Sequence, residues 1–188
     1  MNPVDLYLRS ASIFGAYVEE IGDDQWHNPT PCTEWDVRAL VNHLVSENRW
    51  APAMLASKTI AEVGDAFDGD LLGEDPKAAW RAALDEARAA ITVSGSLEAT
   101  VHASFGDITG EAYITQLFQD HLIHAWDLAK GIGADTTMDA ELAPIAFEQM
   151  KPMIAALKAS GVFGDPVELP DDAAVQARLL ALTGRDPS

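Results

Sequence analysis

Val37, Leu40, Val41, Leu44 and Val45 recur at i, i+3, i+4, i+7 and i+8. That spacing lines one face of an α-helix, and an alternating strand cannot use it. The same period returns along most of the chain. Leu6, Ile13, Tyr17 and Val18 predict a helix from about residue 3 to Ile21, closed by Gly22. Trp80, Leu84, Ala87 and Ile91 predict another from Pro76 to about Val93, and a further one spans about Gly110 to Lys130 before Gly131 and Gly133. Leu142, Ile145, Ala146, Met150, Met153, Ile154 and Leu157 extend the pattern over about Asp139 to Ala159, with a kink or break expected at Pro152. A short last helix from Asp171 to Leu182, capped by Asp171 or Asp172, follows an extended tail at Phe163–Pro170.

Between these stretches, Thr33-Glu-Trp-Asp36 reads as a capping box that starts the second helix at Thr33. That helix runs towards Ser57, with Pro52 expected to kink or split its far end. Residues 58–74, rich in Gly and acidic side chains, read as a loop placed over the mouth of a site. Residues 97–109 read as a short extended excursion. The expectation is an all-α protein, a single domain over residues 1–188 built as a four-helix bundle with short additional helices and a minor extended segment.

With 188 residues such a bundle can bury a core without metal or disulfide support, so a metal here is functional sooner than structural. Lys and Arg number 12 against 30 Asp and Glu, a net charge of -18, which disfavours nucleic acid and anionic membrane surfaces as partners. Cys32 is the single cysteine, so no intramolecular disulfide forms and a reducing cytoplasm is the expected compartment. The first residues lack the pattern of a secretory signal, and no apolar run is long enough to span a membrane.

The chemistry-bearing residues concentrate in Asp120-His-Leu-Ile-His-Ala-Trp-Asp127. Asp120 and His124 are four apart on one helix face, so a carboxylate and an imidazole can meet one ion of zinc, nickel or iron(II) type. A stable site needs a third ligand, and His43, between Leu40 and Leu44, is the leading candidate. A lone His on an apolar face is more often a hydrogen-bonded core residue. His121 is rotated about 100° from Asp120 and stands as an alternative ligand, a group behind the ligands or a surface residue. Asp127 is placed to accept the other ring N–H of His124, although a surface carboxylate is an equal reading. Glu47, one turn after His43, is a speculative base. His27 and His102 read as surface residues, Cys32 as an inert thiol for want of a histidine neighbour, and the tryptophans as core or pocket lining.

Thr30-Pro-Cys-Thr-Glu-Trp-Asp-Val-Arg-Ala-Leu-Val-Asn-His-Leu44, His124-Ala-Trp-Asp-Leu-Ala129 and Arg178-Leu-Leu-Ala-Leu-Thr-Gly-Arg-Asp-Pro187 together resemble an actinobacterial metal-binding family. That family is related to the N-terminal domain of mycothiol-dependent maleylpyruvate isomerase and, more distantly, to DinB-like proteins. The resemblance implies a DinB-like four-helix bundle with one divalent metal, zinc first and nickel or iron as alternatives, held by His43, Asp120 and His124. The isomerase pattern has Glu where Asp120 stands, and the isomerases have a C-terminal domain beyond the position of Ser188, so their activity is not carried over. The expected function is a metal-dependent enzyme of thiol-transfer or thiol-assisted isomerisation type, with a low-molecular-weight thiol such as mycothiol and an electrophilic substrate as partners. A metal-dependent hydrolase and a non-catalytic metal-binding stress-response protein are the alternatives, and a homodimer stays open as the assembly.

Overall fold

The protein is described by a computed structural model over residues 1–153, 167–170 and 172–187. It forms two compact units, Met1–Asp135 and Thr136–Ser188. The first contains α1 (Pro3–Glu20), α2 (Val37–Leu55), the single-turn α3 (Ile60–Val63), α4 (Pro76–Ile91), the hairpin β1 (Thr100–Ala103) and β2 (Gly106–Thr109), and α5 (Gly110–Ile132). Helix α1 packs on α5 and α4, and α2 packs on α4 and α5. The four long helices therefore close a ring of neighbours, the four-helix bundle that the 3.6-residue periodicity predicts. No helix among the described residues is long and apolar enough to cross a membrane.

The predicted stripe of α2 is the centre of the core. Val37, Leu40, Val41, Leu44 and Val45 are fully buried, packed with Phe14 and Val18 of α1, Trp80 and Ala83 of α4 and Leu128 of α5. Trp80 approaches α1 closely at Gly15, where a Cβ would stand 2.8 Å from the indole Nε1. A glycine inside a helix costs about 1 kcal/mol relative to Ala, and here it admits the largest side chain of the core.

The start of α2 differs from expectation. Asp36, not Thr33, is the N-cap, its Oδ1 accepting from the Ala39 N–H at 2.8 Å. A turn from Cys32 to Trp35, closed by Trp35 N–H to the Cys32 carbonyl at 2.8 Å, consumes Thr33. The helix cannot begin until that reversal is complete. Pro52 does not split α2, which runs unbroken to Leu55. Residues 58–74 are not all loop, because Thr59 and Glu62 form a true capping box around α3. The rest of that segment follows one ridge of α2: Arg38 pairs with Asp70 at 2.8 Å, Asn42 bonds the Gly69 carbonyl and the Leu71 N–H, and Ser46 bonds the Phe67 carbonyl. This ridge lies beside the face that carries His43.

The extended excursion is an antiparallel hairpin in which Thr100 faces Thr109 and Ala103 faces Gly106. It feeds directly into α5, because Thr109 is also the N-cap, with its Oγ1 accepting from Ala112 N–H. Gly110 seats that junction: its N–H donates to the Ala99 carbonyl at 2.8 Å, and a Cβ there would lie 1.8 Å from the Ser96 carbonyl oxygen.

In the second unit, α6 (Leu142–Met150) passes into a 3-10 turn at Lys151–Met153, the change that Pro152 predicts, and α7 (Val175–Leu182) packs on α6. The continuation expected to Ala159, the first part of the extended tail and the Asp171 cap lie outside the described residues. Helix α7 begins later than expected, behind Ala174 and without a side-chain cap, so Asp172 does not serve as one.

Two stability measurements follow. Gly110→Ala loses about 3 kcal/mol, the upper end for forced overpacking, because a backbone carbonyl cannot swing aside; the urea midpoint followed by circular dichroism reads it. Asp36→Ala loses about 1 kcal/mol at neutral pH, as for loss of an N-cap acceptor. Burial works against the Asp36 charge, but the Ala39 N–H, His27 and Arg38 outweigh it and hold the carboxyl below its usual range. Between its folded and unfolded values the unfolded chain binds more protons, so stability rises with pH there. The difference between wild type and Asp36→Ala is therefore full above the ordinary Asp value of about 3.9 and disappears as pH falls through the lower folded value.

Candidate metal centre

His43 lies beside the buried stripe of α2, Asp120 and His124 lie one turn apart on α5, and the packing of these two helices brings the three side chains together. His43 Nε2 is 3.2 Å from Asp120 Oδ2, and His124 Nε2 is 3.3 Å from Asp120 Oδ1. The two imidazoles meet edge to face with centroids 5.3 Å apart. All three offer a ligand atom within 4.8 Å of the others. Two donors bound to one tetrahedral zinc at about 2.0–2.1 Å are separated by about 3.3 Å, so the spacing and the donor types fit a divalent ion. The same distances suit hydrogen bonds, and a proton shared with Asp120 is the competitor of any cation here. The arm of Asp120, one methylene shorter than Glu, reaches both imidazoles.

The mouth is open on one side. His43 and Asp120 keep 26% and 27% of their side-chain surface exposed, while His124 keeps 7%. Burial disfavours charge on Asp120, yet attraction and hydrogen bonds from His124 and His43 hold its carboxyl well below the usual range. Burial likewise opposes charge on His124, and Asp120, aided by Asp127 and Cys32, lifts it well above the usual imidazole value.

Behind His124, Asp127 is completely buried and its Oδ2 lies 2.9 Å from His124 Nδ1. With Nδ1 engaged by Asp127, Nε2 is the nitrogen turned towards Asp120. Trp35, delivered by the turn before α2, lies against both imidazoles, with centroid distances of 4.6 Å to His43 and 5.7 Å to His124. Glu47, one turn further along α2, is within electrostatic reach of all three residues; burial first, then repulsion from Asp120, raises its carboxyl above the usual value. Tyr113 adds a buried hydroxyl with no hydrogen-bond partner among the described residues, kept neutral by burial and by Glu47, Tyr7 and Asp120.

A family model for the mycothiol maleylpyruvate isomerase N-terminal domain matches residues 8–129, the stretch that holds every residue of this cluster. The chain belongs to that family. Two uncharacterised proteins of Mycobacterium tuberculosis, one from strain CDC 1551 and one from strain H37Rv, are each 33% identical to it over 147 residues, covering 76% of this chain and 74% of theirs. No solved structure matches it significantly. The bundle of this mycothiol maleylpyruvate isomerase N-terminal domain family member is the helical, DinB-like architecture the sequence motifs imply.

Two sequence expectations change within the family frame. His121 is not a surface residue: it is fully buried among Tyr7, Phe14 and Trp80, with its Nδ1 2.7 Å from the Leu117 carbonyl. Burial brings its pKa down to about 4, against the pull of Asp120, so it packs as a neutral ring. A helix face rotated away from Asp120 can be core as readily as solvent. Cys32 does have a histidine neighbour, for its Sγ lies 3.3 Å from Asp127 Oδ2 and 3.9 Å from His124 Nδ1. No local spacing links residues 92 positions apart, which is why the contact was invisible in the sequence. His27 is exposed and pairs with Asp36, and His102 pairs with Asp107 across the hairpin; neither joins the cluster.

The role of His121 as core and not ligand has a simple consequence. His121→Phe enters the same aromatic slot and removes a buried Nε2 that has no hydrogen-bond partner among the described residues. The phenyl ring is larger than imidazole, so the change costs about 1–3 kcal/mol in urea unfolding, as for added volume in a packed core. His121→Ala, which leaves a cavity between three aromatic rings, loses about 3 kcal/mol or more.

Proposed function

We propose that the protein is a metal-dependent enzyme of the thiol-transfer or thiol-assisted isomerisation type, acting with a low-molecular-weight thiol of the mycothiol kind on a small electrophile. The observation that carries this reading is the convergence of two imidazole Nε2 atoms on one half-exposed carboxylate, in a family described by a mycothiol-dependent activity. His43, Asp120 and His124 would hold the ion, with zinc the best match to two nitrogens and one oxygen. A divalent cation in such a site supplies Lewis acidity, lowering the pKa of a thiol or water that it takes as ligand.

The chain's own residues divide the remaining work. Asp127 fixes the tautomer and orientation of His124. Trp35 lies against both imidazoles and restricts their motion. Glu47, its carboxyl raised by burial, is placed to accept a proton at its carboxylate oxygen from a substrate held at the mouth. Tyr113 is a neutral hydroxyl donor at the buried end of the same group. The single thiol of the chain and its acidic surface suit a cytoplasmic protein that handles small molecules.

Metal analysis of protein purified without chelator tests the reading. One equivalent of a transition metal is expected for wild type, and less than about a tenth of that for His43→Ala, since removing one of three ligands leaves an incomplete site. Incubation of the zinc-loaded protein with mycothiol and a panel of electrophiles is expected to give turnover that a chelator abolishes and that Glu47→Gln lowers by about 10²-fold. Substoichiometric metal in wild type, unchanged in His43→Ala, would sink the metal reading. Stoichiometric metal without turnover, and with no thiol-induced change in the cobalt-substituted spectrum, would make this a binding protein.

A further inference from the structure

The Tyr113 hydroxyl and the side-chain amide nitrogen of Asn48 are buried, and neither has a hydrogen-bond partner among the described residues. Tyr113 keeps 7% of its surface exposed and Asn48 none. An unpaired buried donor forfeits its hydration, so a native core keeps very few. The oxygen of the Asn48 amide is occupied, for Tyr7 Oη of α1 donates to it at 2.8 Å, which leaves Nδ2 as the free end. Tyr113 keeps its proton to give: burial first, then Glu47, Tyr7 and Asp120, hold the hydroxyl neutral.

Helix register brings these groups to one stretch of the bundle. Val37 at the start of α2 lies against Gly131 near the end of α5, and Leu55 at the end of α2 lies against Gly110 at the start of α5, so the two helices are antiparallel. The turn of α2 beyond His43, with Glu47 and Asn48, therefore runs beside the part of α5 that precedes Asp120, where Tyr113 stands. About two turns separate Tyr113 from Asp120 and His43 from Trp50, so each pair shares a helix face. Trp50 is half-buried and meets Phe67 with ring centroids 5.6 Å apart.

We propose that this inner end of the groove between α2 and α5 is a ligand subsite in which Tyr113 Oη and Asn48 Nδ2 hold a neutral carbonyl oxygen, that of a ketone, ester or amide, with Trp50 against the ligand's apolar body. Small-molecule sites combine an apolar wall with a few convergent polar groups that fix orientation. Two donors call for an acceptor, and a carbonyl oxygen has a lone pair for each. Charge decides against a carboxylate. The carboxyls of Glu47 and Asp120 both act on the Tyr113 hydroxyl, and a further anion there would meet their repulsion in a poorly solvated place.

The inference rests on the reading of this groove as a small-molecule site, but its test needs neither thiol nor turnover. Acetophenone, benzoate and ethylbenzene share a phenyl ring and differ in the group they present to the donors. Their affinities are measured by ligand-observed nuclear magnetic resonance for wild type, Tyr113→Phe and Asn48→Ala as purified, with urea unfolding as the folding control. Acetophenone isotope-labelled at the carbonyl carbon reports the hydrogen bonds directly. Wild type is expected to bind acetophenone at least about 10-fold more tightly than benzoate. Tyr113→Phe weakens acetophenone about 5-fold, as for loss of one neutral hydrogen bond, without weakening ethylbenzene, and it moves the bound carbonyl resonance upfield. Its urea midpoint is not below that of wild type, since the hydroxyl it loses has no partner among the described residues. Asn48→Ala acts in the same direction but also strips Tyr7 of its acceptor, so Tyr113→Phe decides where that variant does not fold.

Tighter binding of benzoate than of acetophenone overturns the inference, and so does failure of wild type to bind acetophenone. Equal acetophenone affinity and an equal carbonyl resonance in wild type and Tyr113→Phe overturn it too. If that equality comes with a lowered urea midpoint, the two donors hold a structural water and not a ligand. Zinc uptake by wild type, measured separately, leaves the metal reading standing in each of these cases. Acetophenone bound as expected by a protein that takes up no zinc removes the metal reading alone.

Discussion

A carboxylate buried without any exposed surface must be met by positive charge or by donors, and the site on α5 follows from how Asp127 meets that need. Its first partner is His124 Nδ1, three residues back on the same helix. That bond turns the opposite nitrogen outward, and the next carboxylate along the face, Asp120, sits four residues before His124 and faces it. One imidazole is thus held between two carboxylates by helical geometry alone. His43 from α2 adds, beside Asp120, the further donor that a helix cannot provide for itself.

The bundle is what makes that last contribution possible. The stripe of α2 buries Leu40 and Leu44, and His43 lies between them around the helix, at the margin where the core gives way to solvent. Its ring is fixed by Trp35 rather than by apolar packing alone. Pulling His43 further into the core would strip its solvation without a partner, and moving it one position round the helix would turn it to the ridge followed by residues 67–73. The site therefore exists only where α2, α5 and the turn before α2 coincide.

The parts of this arrangement encoded within a few residues were legible in the chain. The period of α2 and α5, the Asp120 and His124 pair and the interruption near Pro152 all depend on neighbours within about one turn, whereas the i, i+3 spacing of Asp127 suited a surface carboxylate equally. Capping was less legible. Thr33 and Thr59 carry similar sequence signals, and only Thr59 starts a helix, because the chain reverses at Cys32–Trp35 before α2 can begin. The burial of His121 and the contact of Cys32 with Asp127 depend on which helices become neighbours, and no local pattern carries that information. His43 follows from the family resemblance more than from periodicity, for a single histidine beside an apolar stripe is ambiguous by itself.

The two walls of the site differ in how they are held. Asp120, His124 and Asp127 stand on one continuous helix, where displacement of one would require displacement of a whole turn of hydrogen bonds. Trp35 and Cys32 stand on the end of the loop before α2, whose shape depends on the Thr30 hydroxyl and on the close seat at Gly131. Positioning precision is greatest for groups on regular elements, and adaptation is easiest on loops anchored to them. Of the three candidate donors, Asp120 and His124 are thus on the wall formed by one helix, while the Trp35 ring, and the thiol behind it, are on the wall that sequence can alter without dismantling the bundle. Change in the surroundings of the two imidazoles is therefore expected to be written in residues 30–36 before it is written in α5.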